Sequence, residues 1–303
     1  MGTGVAKLQH QYSFYRLATI GWANPLLKQT LPLLGEALER EVLVDLSEVV
    51  FMDAFGVTYL AACLERCRTL DAIPKILIRR PKSEKAYKYL LDTGFYESVG
   101  ISNQAEARRP SKGRVDLVHI EALEPLFVDG LLDFLEGVQP FVSGLKESMR
   151  MSFYELMLNF AEHSGSQFGA WASGQRYADR VTLCLLDLGR GIPDSLRTIK
   201  KFAPRSDPDL IELSTAEGIS AAAGTNQRGL GLTVIRRFVR ANRGTMTIIS
   251  GTGRVRFRPD RKPIRDKIHG NFPGTAVFLS LVPTERGLYV FGDEDETNDA
   301  NCG

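Results

Sequence analysis

Between Glu155 and Leu232 the chain carries three short patterns that constrain it more than anything else in its 303 residues. The first is Glu155-Leu-Met-Leu-Asn159-Phe-Ala-Glu-His163, helical in period, which sets Glu155, Asn159 and His163 at four-residue steps along one helix face. The second, Asp187-Leu-Gly189-Arg-Gly191-Ile192-Pro193, follows directly on the apolar run Val181 to Leu186, so a carboxylate and two glycines stand at a strand end. The third, Gly224-Thr-Asn-Gln-Arg228-Gly229-Leu230-Gly231-Leu232, opens a further helical pattern. Each has an ordinary origin when taken alone. Helix-face pairs are mostly solvated, Asp-x-Gly-x-Gly is most often a turn because glycine tolerates positive φ, and Gly-x-Gly is common at helix entries.

Together, and in this order, the three segments resemble the N, G1 and G2 boxes of the GHKL (Bergerat-fold) ATPases. Phe272-Pro-Gly274-Thr275, before the apolar run Ala276 to Leu281, is similar to the glycine-threonine step that closes that fold. The resemblance implies an α+β two-layer sandwich over 115–284 that binds ATP with Mg2+. It assigns Asn159 as an amide-oxygen ligand of Mg2+, an ion that prefers oxygen and keeps much of its water. It assigns Glu155 to orient or deprotonate the attacking nucleophile, and His163 to approach the phosphates. Asp187 would accept a hydrogen bond from the adenine amino group, while Gly189, Gly191 and Ile192 bring the backbone close to the base. Arg228, Gly229, Leu230, Gly231 and Leu232 would direct a helix N-terminus at the phosphates, with Thr275 completing the site. Arg228 stands where many histidine-type kinases have glycine. The run from Gln227 to Val234 and the Asn159 to His163 spacing are closer to the anti-sigma serine kinases.

Upstream, strand-like and helix-like segments alternate over 1–100, which argues for an α/β unit. Tyr12 to Ile20, Val42 to Leu46 and Ile73 to Ile78 read as strands; 25–38, Val57 to Leu70 and Ser83 to Asp92 read as helices, with a stop at Gly94-Phe95. Leu43-Val-Asp-Leu-Ser47 through Asp53-Ala-Phe-Gly56-Val-Thr58-Tyr-Leu60 resembles STAS domains, the fold of the anti-sigma-factor antagonists. Those antagonists accept phosphate on a serine where this chain has Ala54 and Phe55, and Thr58 is poorly placed to replace it. A packing and docking module is therefore expected rather than a phosphoswitch.

A charged, Pro- and Gly-bearing stretch, 101–114, reads as a linker, and 285–303 as an acidic, disordered tail. His119 lies in the strand-like run Val115 to Ile120, only 40 residues before Asn159. That is too few for the dimerisation hairpin of a sensor kinase, and a phospho-accepting role is rejected. Pro193 to Thr225 shows little regular pattern and falls where GHKL proteins have a lid over ATP. Arg254 to Arg258 alternates as an edge strand with a basic face.

The formal net charge of +2 gives no electrostatic case for nucleic acid or a membrane surface. No apolar run reaches the roughly 18 to 20 residues of a membrane span. Four cysteines without a second Cys or His pair suit a reduced, cytoplasmic protein with core or surface thiols rather than a zinc site. The expectation is an ATP-binding regulatory protein that phosphorylates Ser or Thr of a partner, a separate STAS-domain protein or sigma-like regulator. A non-catalytic ATP-sensing adaptor is the alternative, and a nucleic-acid clamp the weakest reading. GHKL domains often dimerise, so a homodimer is among the expected states.

Overall fold

Short apolar segments separated by polar turns build the N-terminal unit. Its strands are β1 (His10–Ser13), β2 (Leu17–Ala18), β3 (Val42–Asp45), β4 (Phe51–Met52) and β5 (Ile76–Arg79). Its helices are α1 (Ala54–Thr69), α2 (Glu84–Asp92) and α3 (Phe95–Ser98). The computed structural model describes residues 10–13, 17–18, 42–69, 76–101, 113–121, 125–160, 168–219, 231–283 and 287–291; the helix expected over 25–38 lies outside them. β3 sits between β1 and β5, parallel to both, and β2 pairs with β4. All four β3 residues are buried, as a central parallel strand requires. Asp53 starts α1, its Oδ1 accepting the Gly56 N–H at 3.0 Å. Gly94, at φ +79°, ends α2 as the sequence indicates. Beyond that stop Phe95 and Tyr96 open the short helix α3 and are buried.

The second unit runs β6 (Arg114–Ile120), α4 (Pro125–Glu136), α5 (Leu145–Leu158), β7 (Ala170–Arg176), β8 (Val181–Asp187), α6 (Ile192–Arg197), a 3-10 turn (Lys200–Phe202), α7 (Asp207–Leu213), α8 (Gly231–Ala241), β9 (Thr245–Arg258) and β10 (Arg261–Leu281). Its strands form one antiparallel sheet in the order β6-β7-β8-β10-β9. The architecture is mixed α/β, compatible with the α+β class.

Every residue of β8 is buried, so both sheet faces are covered. Val181, Leu183 and Leu185 pack with Leu131 of α4, Phe153 and Leu156 of α5, and Ile235 and Phe238 of α8. Cys184 and Leu186, on the other face, share a core with Phe55, Leu60 and Cys63 of α1. The N-terminal unit therefore lies on the second unit's sheet, and one apolar cluster runs through both. Within that contact the Thr58 hydroxyl meets the Ser173 hydroxyl of β7 at 2.7 Å and donates to the Ala54 carbonyl at 2.6 Å.

Two further expectations are corrected, and the edge strand expected at Arg254 to Arg258 is found as the end of β9, the outermost strand. Pro193 to Thr225 is not irregular as far as residue 219: α6, the 3-10 turn and α7 enclose Leu196, Phe202 and Leu210. Asp207 ties that segment to β9, accepting from Thr252 N and Oγ1 at 2.7 Å each and pairing with Arg197. Helices of six or seven residues complete fewer than two turns, too little for periodicity to register. β9 and β10 reach 14 and 21 residues, because Val255 and Phe257 alternate inward while Arg254, Arg256 and Arg258 alternate outward. The disordered tail expected from 285 is corrected over 287–291. Tyr289 is fully buried against Phe141 and Phe238, and its N–H donates to the Pro140 carbonyl at 2.8 Å. Residues 292–303 lie outside the described part.

Candidate functional site

The period of two in β8 decides where Asp187 points. Val181, Leu183 and Leu185 face the α5 and α8 side, and the strand delivers Asp187 to that same face at its end. Register extends the row sideways: Asp187 stands opposite Thr275 of β10, and Thr275 opposite Ser250 of β9. One carboxylate and two hydroxyls thus share an end and a face of the sheet. All three are buried, with Asp187 only 1% exposed.

A buried carboxylate needs donors. Asp187 Oδ1 accepts the Gly189 N–H at 2.7 Å, and Oδ2 accepts the Thr275 N–H at 3.1 Å. Ser250 ties the row to the next turn: its hydroxyl donates to the Gly274 carbonyl at 2.6 Å and accepts the Ile192 N–H at 3.0 Å. It also lies 3.2 Å from Thr275 Oγ1. Both glycines flanking this knot are in the left-handed region, Gly191 at φ +80° and Gly274 at φ +84°. A Cβ on Gly191 would lie 2.7 Å from Ser250 Oγ, and one on Gly274 would collide with the Asp187 carbonyl. These glycines are required by the packing of the turn on itself.

The second half of the site is made by two helices. Glu155, on α5, is half-buried, and its Oε2 accepts the Gly231 N–H at 2.8 Å, the first residue of α8. A Cβ on Gly231 would stand 2.9 Å from the Ser152 carbonyl, so glycine lets the start of α8 press against α5. The carboxylate satisfies one of the open N–H groups at the beginning of a helix and complements its dipole. Asn159 closes α5 one turn further on, with its backbone N–H directed at the Glu155 and Leu156 carbonyls. Its side chain is exposed and has no hydrogen-bond partner among the described residues. Leu232 is partly buried against the core shared by α5 and α8.

The structure therefore brings Asp187, Gly189, Gly191, Ile192 and Thr275 into one knot, and Glu155, Asn159, Gly231 and Leu232 into another, on the same face of the sheet. His163, Arg228, Gly229 and Leu230 lie outside the described residues. Sequence reasoning missed Ser250. Its signal was available: a serine ends the strand-like run Met246-Thr-Ile-Ile249 and precedes a glycine, much as Asp187 ends its own run.

In the N-terminal unit, Ala54, Phe55 and Thr58 are fully buried. The Thr58 hydroxyl is occupied on both sides, which suits the packing role expected of this segment and leaves no accessible acceptor there. His119 lies in β6 as expected, stacked on Trp171 at 4.3 Å with Nε2 2.8 Å from the Phe168 carbonyl. Cys63, Cys67 and Cys184 are free, buried thiols. Burial pushes the Cys67 thiol up to about 11 and holds Cys184 well above the ordinary thiol range. Among the described residues no group of three or more His, Cys, Asp or Glu is arranged to hold a metal ion. No helix among them is long and apolar enough to cross a membrane. No protein-family model matches the chain, and no curated protein matches it.

Proposed function

We propose that the protein is an ATP-binding regulator in which a GHKL-type (Bergerat-fold) domain is fused to a STAS-like interaction domain. The observation that carries this reading is the buried row of Asp187, Thr275 and Ser250, facing the helix pair that holds Glu155 and Asn159. Asp187 is fixed by two backbone donors, as a group that selects one base by hydrogen bonding must be. Asn159 has an uncommitted amide at the rim, fit to present an oxygen to Mg2+ without adding charge. Bound Mg·ATP supplies a transferable phosphoryl group. The chain's own part is to hold Asp187 against the base, keep the start of α8 toward the phosphates, and present Glu155 as base or positioning group.

One observation favours the adaptor reading beside the kinase reading: the Glu155 carboxylate is engaged by Gly231 N–H at 2.8 Å, a capping role that needs no turnover. Incubating the purified protein with γ-labelled Mg·ATP, beside Asn159→Ala and Glu155→Gln, separates them. Label moving to free phosphate or protein, and lost in both variants, supports an enzyme. Binding that Asn159→Ala weakens, with no label moving in the presence of candidate partner proteins, supports the adaptor. Absence of any ATP binding overturns both.

A further inference from the structure

A concave site lies at the same end of the sheet as Asp187 but toward α1. It is a cleft of about 330 Å3, at the small end of the roughly 300–1,000 Å3 typical of ligand pockets. Its walls are apolar where Phe168, Leu188, Phe272 and Pro273 line it, and polar where Arg66, Arg190 and Asn271 do. Of the described residues expected to bind nucleotide, only Gly189 lines it.

The polar side chains have unspent capacity. Arg66 Nε is buried without a hydrogen-bond partner, although its guanidinium lies 5.2 Å from the Phe168 ring centre and Nη1 reaches the Leu188 carbonyl at a long 3.4 Å. Buried donors are seldom left so. Neither Arg190 nor Asn271 has a side-chain hydrogen bond or ion pair among the described residues, and Arg66 has no carboxylate partner there. The one carboxylate among the described residues that line the cleft, Asp194, is paired with Arg197 at 3.4 Å. Two uncompensated guanidinium groups beside aromatic and proline walls form a receptor for a planar or apolar body carrying an anionic head.

We propose that this cleft binds a small organic anion, a carboxylate or phosphate ester on an apolar body, held by Arg66, Arg190 and Asn271. Leu188, Gly189 and Arg190 line the cleft, while Asp187 and Gly191 of the same turn belong to the knot on the other face. An occupant is therefore placed to alter the nucleotide site. That coupling alone rests on the ATP reading; binding of the anion does not.

The test is calorimetric titration of the full chain, without nucleotide, using phenyl phosphate and benzoate, with phenol as the neutral control. Saturable binding of either anion is expected, with phenol at least about tenfold weaker because a charge-assisted hydrogen bond is worth that much. The preferred anion identifies the head group. Arg190→Ala and Arg66→Lys should each weaken binding about tenfold, while Asp194→Asn leaves it unchanged or tighter. In 15N-edited spectra the Arg66 Nε–H signal should shift on titration. Failure of both anions to bind, phenol binding equally well, or affinity unchanged in Arg190→Ala and Arg66→Lys would overturn the proposal.

Discussion

Helices α1 and α8 both lie on the five-stranded sheet, from opposite sides, and they are built on different plans. α8 is amphipathic: Thr233, Ile235, Phe238 and Val239 are buried, while Arg236, Arg237 and Arg240 retain exposure. α1 is buried almost all round, from Ala54 through Leu64 without a break. A helix with one apolar stripe rests on a surface and can shift along it. A helix without a polar face lies inside a core. The Asp187–Thr275–Ser250 knot is assembled on the α8 side, where adjustment is cheap, and the two units are welded on the α1 side, where it is not.

The strongest test of this contrast is truncation within α1. Phe55→Ala or Leu60→Ala should each cost about 3–5 kcal/mol and lower the denaturation midpoint of the whole chain in one transition. Two separated transitions, with only the first affected, would break the welded-core description. Next comes the turn itself. Gly274→Ala forces a side chain into the left-handed region and onto the Asp187 carbonyl, and should cost about 2–3 kcal/mol together with nucleotide affinity. Gly287→Ala, also at positive φ but with open space around it, should cost about 1 kcal/mol and leave binding untouched.

Smaller effects sharpen the comparison. Thr58→Val removes the hydroxyl that links α1 to β7 and should cost about 1 kcal/mol in urea titration. Ser173→Ala on that background should add less than it does alone. The smallest effect concerns Asp207. Burial raises its carboxyl pKa, but the Thr252 N–H and hydroxyl and the Arg197 guanidinium outweigh burial and hold it below the ordinary value. Because the folded-state pKa is the lower one, this stabilisation is complete above about pH 4, the ordinary carboxylate range, and is lost as pH falls through the folded value. Asp207→Asn should lower stability at neutral pH and flatten its decline in acid, as read by denaturation midpoints across pH.

Patterns that repeat were legible in the sequence. The buried strand ending at Asp187 and the helical pattern opened by Gly229-Leu230-Gly231-Leu232 follow from periodicity and breaker residues. What escaped was cooperative. Ser250 matters only because β10 sets Thr275 between it and Asp187, a register that a single strand cannot announce. Phe272 and Tyr59 meet at 5.3 Å across more than 200 residues of chain, so the fusion of the two units was not visible from either. The glycines were noticed correctly as special. Their immediate reasons are internal: Gly191 admits the Gly274 backbone and the Ser250 hydroxyl, Gly274 admits the Asp187 carbonyl and the Gly189 N–H, and Gly231 admits the Ser152 carbonyl.

Burial of α1 has a consequence for synthesis. Thr58 and its partner Ser173 are 115 residues apart, and the sheet surface that covers the helix is made of β7, β8 and the still later β10. At roughly 5–20 residues per second, the ribosome exposes α1 for on the order of ten seconds before its cover exists. For that interval the nascent chain carries an apolar helix with nothing to close over it. The growing protein is then a client for holding factors, and a pause before β7 would extend its most aggregation-prone moment.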